Sequence, residues 1–276
     1  MVRFMPWLGV YALAYLLGKA MQWMRYRRKV VSKNLHLAFP FASEKEVRKL
    51  TRNFYQYFSR VLLESLKGYT THAKKLKKRY ILKNPEVIQQ YFSRGKTVVI
   101  LMAHFNNWEW FSVVLPEILN VNQFALYKPF RNYLIDRFIH HHREKKGMKL
   151  YSIEEVGIMV RKALQSPSVM IFLSDQRPAR TEFHHAIWTP FFNINTPFPQ
   201  GAQAVAKKFN LPVVYVSVKE INKGKYLCTF EPILNDVTTE NDVMKFYVTL
   251  LERDIKKQPS NYVWTHNRWK YLNLNI

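Results

Sequence analysis

The chain has 276 residues, with 43 Lys or Arg against 19 Asp or Glu, so its formal net charge is +24. Its 48% hydrophobic and 15% aromatic residues exclude an intrinsically disordered chain, and its length suits one large domain or two small ones. The single cysteine, Cys228, excludes an intrachain disulfide and a cysteine-based zinc cluster. The charge predicts an anionic partner, for which nucleic acid, anionic lipid and an acidic carrier protein all qualify.

The first predicted element is an N-terminal apolar helix. Residues 4–24 contain one charged side chain, Lys19, and as a helix they would extend about 31 Å, close to the thickness of a bilayer core. A basic block follows, with five Lys or Arg in residues 25–33, which is typical of a segment held near anionic headgroups. We therefore predict a membrane anchor helix over residues 1–25 and one further domain over residues 26–276.

The same apolar run fits two other arrangements. Pro6, Gly9 and Gly18 interrupt it, and a helix buried in the protein core would tolerate such interruptions. A helix that lies in the membrane interface, rather than crossing the bilayer, fits as well. A cleaved signal peptide fits poorly, because the basic block follows the apolar run instead of preceding it.

A long helix and then an alternation of strands and helices are predicted downstream. Ser43 to Glu46 form a capping-box pattern, which opens a helix that runs to about Lys67. Apolar runs predict strands at 97–103, 168–173 and 212–218, and weaker runs predict strands at 123–127 and 226–230. Helical patterns lie between them at 108–119, 131–146, 153–165, 198–209 and 240–257. The alternation predicts an α/β domain with a mostly parallel central sheet flanked by helices, in which ligands bind beyond the carboxyl ends of the strands.

His104 and Glu109 follow the strand at 97–103, at the edge where function is expected. On one continuous helix, two residues five apart point in different directions. They can meet if His104 ends the strand and Asn107 caps a helix that carries Glu109 in its first turn. Glu109 would then orient the imidazole, and His104 would be a general base for a substrate hydroxyl. A core histidine beside an unrelated surface glutamate fits the same residues about as well.

Asp175 and Arg177 follow the strand at 168–173 and, in a parallel sheet, emerge at the same edge as His104. An arginine there can bind a phosphate through two hydrogen bonds, although an Asp-capped turn with solvated arginines fits equally well. Residues 188–198 are unusually apolar for a loop, which suits a lid, a membrane-dipping segment, an acyl-chain wall or ordinary core. The sequence contains no nucleotide-binding or zinc-protease motif.

Several ordered segments resemble the lipid A biosynthesis (late, or secondary) acyltransferases, a family in the lysophospholipid-acyltransferase-like superfamily. The segment from His104 to Glu109 resembles the H-F-x-N-W-E form of the family's H-x-x-x-x-D/E signature. The other matching segments are residues 26–30 with Asn34-Leu35 and Phe39-Pro40, residues 127–129 with Asn132 and Asp136, Asp175-Gln176, Thr196-Pro197 and residues 262–270. The resemblance covers about residues 26–270, nearly the whole chain.

The resemblance implies a glycerolipid-acyltransferase-like fold and a reaction. A fatty acyl group passes from acyl carrier protein to a hydroxyl of a phosphorylated lipid A precursor, at the cytoplasmic face of the inner membrane of Gram-negative bacteria. A charge of +24 suits both anionic partners and the membrane surface. Because a thioester already stores the activation, we expect no metal or nucleotide cofactor, and we expect no nucleic acid partner.

The resemblance also implies roles for individual residues. His104 is the base and Glu109 its partner. Independently of the resemblance, the N-terminus of the helix near Asn107 offers N–H groups to an oxyanion. The residues expected to bind substrate are Asn107, Tyr127, Lys128, Asp175, Arg177 and Arg180, with Arg177 and Arg180 as alternatives for one basic position.

Two departures from the family pattern leave the acceptor and the acyl length open. Pro178-Ala179-Arg180 and a pair of histidines replace the usual Gly-rich stretch after Asp175-Gln176, and Lys128 stands where Arg is common. Two alternatives therefore remain: an acyltransferase acting on a lysophospholipid or an amino-acid lipid, and a non-catalytic basic membrane-binding protein.

Overall fold

A computed structural model describes residues 4–127, 132–233 and 242–271. The helices of the described residues are α1 (Trp7–Trp23), α2 (Arg28–Ala38), α3 (Glu44–Thr70), α4 (Ala73–Leu76), α5 (Glu86–Phe92), α6 (Glu109–Leu119), α7 (Tyr133–Lys145), α8 (Val156–Ala163), α9 (Gly201–Phe209) and α10 (Asp242–Lys257). The strands are β1 (Tyr80–Leu82), β2 (Val98–Met102), β3 (Asn122–Leu126), β4 (Met148–Tyr151), β5 (Ser168–Leu173), β6 (Ile187–Phe191), β7 (Ile194–Phe198), β8 (Val213–Asn222) and β9 (Lys225–Ile233).

The central sheet has seven strands in the order β1-β9-β8-β2-β5-β3-β4. All neighbouring pairs are parallel except β8 and β9, which form an antiparallel hairpin. The predicted α/β fold with a mostly parallel sheet is therefore confirmed. Every residue of β2 is buried, and β2 pairs with β5 from Val98 opposite Val169 to Met102 opposite Leu173. The carboxyl ends of these two strands consequently lie side by side at one edge of the sheet.

The segment predicted as an apolar loop at 188–198 forms a separate antiparallel hairpin instead. Strands β6 and β7 pair across a turn in which Phe192 and Asn193 have positive φ angles. Alternate residues of β6 are buried, as in a strand with one face on the core. Each strand contains a proline, Pro190 in β6 and Pro197 in β7, which is tolerated in a two-stranded ribbon because each strand has a free edge.

Helix α1 packs along α3 through one face. Its buried residues, Val10, Ala14, Gly18 and Met21, recur at helical spacing. The approach is close, since a Cβ on Gly18 would lie 2.8 Å from the Ser59 hydroxyl oxygen, and that hydroxyl donates to the Ala14 carbonyl oxygen at 2.8 Å.

The opposite face of α1 carries exposed apolar side chains. Leu8, Leu16 and Trp23 are 81%, 63% and 85% exposed. At the start of the helix, Trp7 packs edge-on against Trp110 of α6, with 5.5 Å between ring centroids. Within the described ranges, no helix combines the length and hydropathy needed to cross a bilayer.

The basic block after α1 is folded and tied to the C-terminal part of the chain. Arg25 and Arg27 adopt positive φ angles of 53° and 49° in the turn between α1 and α2. Helix α2 then buries Asn34, whose amide donates to the carbonyl oxygens of Trp264 at 2.9 Å and His266 at 2.7 Å. The predicted capping box at Ser43 is confirmed at the start of α3, with both of its reciprocal hydrogen bonds formed.

Candidate active site

A histidine and an aspartate meet at the carboxyl edge of the sheet. His104 follows β2 and Asp175 follows β5, and because these strands are adjacent and parallel, Nδ1 of His104 lies 2.8 Å from Oδ1 of Asp175. A carboxylate only accepts hydrogen bonds, so Nδ1 is the donor. The His104 side chain is 22% exposed and that of Asp175 only 2%. The imidazole therefore reaches the surface of the edge while its partner is buried.

The electrostatics favour proton uptake by this imidazole. Burial by itself would lower the pKa of His104, but the charge and hydrogen bond of Asp175, together with the charge of Glu109, raise it above its usual value. Burial opposes the charge on Asp175 as well, and the charge of His104 and its hydrogen bonds lower the pKa of that carboxyl. With Nδ1 committed to Asp175, Nε2, which the Gln176 side-chain nitrogen approaches at 3.4 Å, is the nitrogen that can accept a proton.

Glu109 lies in the first turn of α6, as predicted, but its carboxylate has other partners. It accepts hydrogen bonds from Arg143 through two nitrogens, from the Tyr69 hydroxyl at 2.6 Å and from Trp108 Nε1 at 3.1 Å. The carboxylate that orients His104 by a hydrogen bond is thus Asp175 and not Glu109. Burial opposes the charge of Glu109, but Arg143, by charge and hydrogen bond, and Tyr69 and His104 outweigh it and lower the pKa of Glu109. The catalytic role of Glu109 stays a prediction.

Asn107 caps α6 from within the protein. Its side chain is fully buried, its Oδ1 accepts from the Trp110 backbone amide at 3.3 Å, and its Nδ2 donates to Glu64 Oε2 at 3.0 Å. The bond with the Trp110 amide is of the capping kind that was predicted for Asn107, although Trp108 is the residue immediately before α6. The predicted contact of Asn107 with substrate stays a prediction.

The C-terminal segment fixes the loop that carries His104 from the other side. The His104 carbonyl oxygen accepts from the Val263 amide at 3.1 Å, and the Asn106 amide donates to the Asn261 carbonyl oxygen at 3.0 Å. Asn106 has a positive φ of 53°, and its Nδ2 donates to the Val218 carbonyl oxygen at 2.6 Å. The loop is therefore held by β8 and by the segment after α10.

Four other residues were predicted to bind substrate, and the structure describes three of them. Arg177 is half-buried, donates its backbone amide to His266 Nε2 at 3.1 Å, and has its guanidinium 4.6 Å from the Tyr271 ring centroid. Arg180 is exposed at the start of a short 3-10 turn. Tyr127 is buried with its ring edge-on to His140. Lys128 lies outside the described residues. The substrate-binding roles of these four residues and of Asp175 stay predictions.

Several polar groups near the site were not predicted from the sequence. They are Glu64, Tyr69, Arg143, His266 and Arg268. Burial lowers the pKa of His266 to about 4, so its ring is neutral and accepts from Arg177. The buried Arg268 donates to the Pro197 carbonyl oxygen at 2.6 Å. His266 and Arg268 lie in the C-terminal segment that resembles the acyltransferases, so the sequence offered a reason to include them. No feature of the sequence pointed to Glu64, Tyr69 or Arg143.

Comparison with known proteins decides the family. The family description of bacterial lipid A biosynthesis acyltransferases matches residues 1–271. The chain belongs to this family. It is therefore an enzyme, an acyltransferase of lipid A biosynthesis. The lipid A biosynthesis palmitoleoyltransferase of Escherichia coli (strain K12) is 21% identical over 254 residues, which cover 91% of this chain and 81% of that protein.

Two further relatives carry related names. The lipid A biosynthesis acyltransferase of Shigella flexneri is also 21% identical over 254 residues, with the same coverage of 91% and 81%. The lipid A biosynthesis lauroyltransferase of Escherichia coli (strain K12) is 22% identical over 278 residues, which cover 96% of this chain and 87% of that protein. The two Escherichia coli names specify different acyl groups, so membership of the family leaves the acyl group of this lipid A acyltransferase open.

Proposed function

We propose that the enzyme transfers a fatty acyl group from the thioester of acyl carrier protein to a hydroxyl of a lipid A precursor, with His104 as general base. The observation that carries this proposal is the partly exposed His104 imidazole, hydrogen-bonded through Nδ1 to the buried Asp175 at the carboxyl edge of the sheet. The site offers a base and no protein nucleophile beside it in the described residues, which suits direct attack by a substrate hydroxyl.

In the proposed reaction, Nε2 of His104 takes the proton of the acceptor hydroxyl as its oxygen attacks the thioester carbonyl carbon. The tetrahedral intermediate collapses by breaking the carbon–sulfur bond, and the proton passes from His104 to the departing thiolate. Asp175 and the nearby charge of Glu109 stabilise the imidazolium that exists between these steps. The N–H groups of the first turn of α6 are suited to stabilise the oxyanion, because helix N-termini favour negative charge.

The surface of the molecule supports a reaction at a membrane. The outward face of α1 carries Leu8, Leu16 and Trp23, and the adjacent helix α2 exposes Lys29 and Lys33. An apolar face beside a cluster of positive charges is typical of helices that lie at the surface of an anionic bilayer. We place the enzyme at the cytoplasmic face of the inner membrane, with the membrane and acidic carrier protein as partners of its positive surface.

The proposal is tested by acyl transfer with purified protein. We expect His104→Ala to lower kcat by about 10³-fold, the scale of a lost general base, and Glu109→Ala to lower it strongly as well. The assay follows a labelled acyl chain from acyl carrier protein to a lipid A precursor. His72→Ala is a matched control, because His72 is exposed at the start of α4. Wild-type activity in His104→Ala, with unchanged thermal stability, would contradict the proposal.

A panel of candidate acceptors and donors in the same assay identifies the two substrates. The acceptors are a lipid A precursor, a lysophospholipid and an amino-acid lipid. Each is offered with a labelled acyl chain carried by acyl carrier protein or by coenzyme A. We expect the highest kcat/KM for the lipid A precursor with acyl carrier protein. A higher kcat/KM for another lipid would identify that lipid as the acceptor, and binding without turnover in every combination would contradict the proposed donor and acceptor.

A further inference from the structure

A buried carboxylate lies behind the loop that carries His104. Glu64 of α3 is completely inaccessible to solvent. Its Oε2 accepts from the Tyr226 hydroxyl at 2.6 Å and from Asn107 Nδ2 at 3.0 Å. In the part of the chain that the structure describes, its Oε1 is buried without a hydrogen-bond partner. The proposed reaction gives this carboxylate no task.

The hydrogen bonds of Glu64 lead directly to the first turn of α6. Asn107, which Glu64 holds, accepts from the Trp110 backbone amide, and the Glu64 carbonyl oxygen accepts from Trp110 Nε1 at 3.0 Å. The approach of α6 to α3 is tight, because a Cβ on Gly68 would lie only 2.4 Å from Trp110 Nε1. The Glu64 carboxylate is therefore linked to the first turn of α6 through Asn107, and α6 is also held on α3 by contacts of the backbone.

The charge of Glu64 is only partly compensated. The groups that face it are Tyr11 of α1, Tyr57 and Arg60 of α3, Arg79 after α4, Asn107 before α6, Trp110 of α6, Glu220 of β8 and Tyr226 of β9. Arg60, whose positive charge acts on Glu64, forms an ion pair with Glu220 instead. Burial raises the pKa of Glu64 to about 7, although Arg60 and the hydrogen bonds from Tyr226 and Asn107 act in the opposite direction.

We propose that Glu64 is a positioning residue: its ionised carboxylate fixes Asn107, and through Asn107 the first turn of α6, beside His104. This inference rests on the proposed acyl transfer. A hydrogen bond to an ionised acceptor is about twice as strong as one between neutral groups. A proton on Glu64 therefore weakens the bonds to Asn107 and Tyr226, loosens the loop and slows the reaction without any contact between Glu64 and substrate.

The test is the ratio of wild-type kcat to Glu64→Gln kcat as a function of pH. Gln keeps the shape of the side chain but resembles the neutral form at every pH. We expect a ratio of about ten at pH 8, as for one weakened charge-assisted hydrogen bond, falling towards one below pH 6, with a midpoint near pH 7. Protonation of His104 affects both proteins, so it does not produce this change in the ratio.

Tyr226→Phe provides a second variant with a distinct result. The Tyr226 hydrogen bond lowers the pKa of Glu64, so its removal should shift the midpoint of the ratio to higher pH. Glu231→Gln, on the same strand β9 but paired with Arg253, is the control and should keep the wild-type profile. Infrared difference spectra of the carboxylic acid band give a readout independent of turnover, because Glu64→Gln should lack the band that titrates near pH 7.

The possible outcomes separate this inference from the proposed function. A ratio that is constant with pH, in protein that turns over, would overturn the positioning role and leave the acyl-transfer proposal intact. Absence of turnover in the wild type with every donor and acceptor would overturn both. If Glu64→Gln does not fold, an unshifted midpoint in the kcat profile of Tyr226→Phe overturns the inference instead.

Discussion

Replacing Glu64 with Gln should stabilise the folded protein at neutral and alkaline pH, even where it slows the enzyme. The reason is that burial raises the pKa of Glu64 from 4.5 to about 7 in the fold. Between these two values the folded protein holds a proton that the unfolded chain releases. The wild type therefore loses stability as the pH rises from about 4.5 to about 7, whereas Gln has no proton to lose.

The magnitude follows from the two pKa values. The interval between 4.5 and about 7, at 1.36 kcal/mol for each pH unit, gives about 3 kcal/mol of unfolding free energy. For a chain of 276 residues, each kcal/mol changes Tm by about 2 °C. The Tm of Glu64→Gln minus that of the wild type should thus rise by about 6 °C between pH 4.5 and pH 8.

Thermal unfolding of both purified proteins, followed by tryptophan fluorescence from pH 4.5 to pH 8, measures this difference. Glu46→Gln is the control, because Glu46 is exposed and its hydrogen bonds with Ser43 lower its pKa. That group stays ionised in the folded protein over most of this range, so the Tm difference of the control should change little above pH 5. A difference for Glu64→Gln that stays flat from pH 4.5 to pH 8 would refute the reasoning.

Three further changes test other parts of the structure. Asp175→Asn removes the charge that raises the pKa of His104, so kcat should fall about 100-fold and the acid limb of the pH–rate profile should move to lower pH. Gly68→Ala places a Cβ 2.4 Å from Trp110 Nε1, so denaturant unfolding should report a loss of about 1–3 kcal/mol. Leu16→Ser removes an exposed apolar side chain of α1, so binding to anionic vesicles should weaken about tenfold with Tm unchanged.

Two of these changes have a control variant that is expected to show no effect. Gly157→Ala in α8 meets no atom within 4 Å and should not lower stability, and Ala12→Ser changes the exposed face of α1 very little and should keep vesicle binding. An unmoved acid limb in Asp175→Asn would show that the carboxylate does not set the proton affinity of His104. Equal vesicle binding by Leu16→Ser and wild type would remove α1 from the membrane contact.

The sheet could be predicted because its central strands are buried on both faces. Strands β2 and β5 consist almost entirely of buried residues, and such runs are recognisable without knowledge of their neighbours. The short strands β1 and β4 carry too few residues for a pattern of that kind. The hairpin β6–β7 was not predicted, and each of its two short strands contains a proline.

The sequence could predict which residues lie at the carboxyl edge of the sheet, but not which of them contact each other. The sequence placed His104 and Asp175 at one edge, but their hydrogen bond depends on β2 and β5 being neighbours, which strand patterns alone do not determine. The role of Glu64 could not be predicted from the sequence for a similar reason. In the sequence it is one more acidic residue in a long amphipathic helix, and only its contacts with Asn107 and Tyr226 distinguish it.

The hydrogen bonds of Asn34 join two parts of the fold that lie far apart in the sequence. The buried amide of Asn34 in α2 is satisfied by the carbonyl oxygens of Trp264 and His266. A buried amide without partners is costly, so α2 relies on the segment after α10 for its place in the fold. Because that same segment holds the His104 loop through the Val263 amide, a change that displaces it would disturb the basic block after α1 and the active edge together.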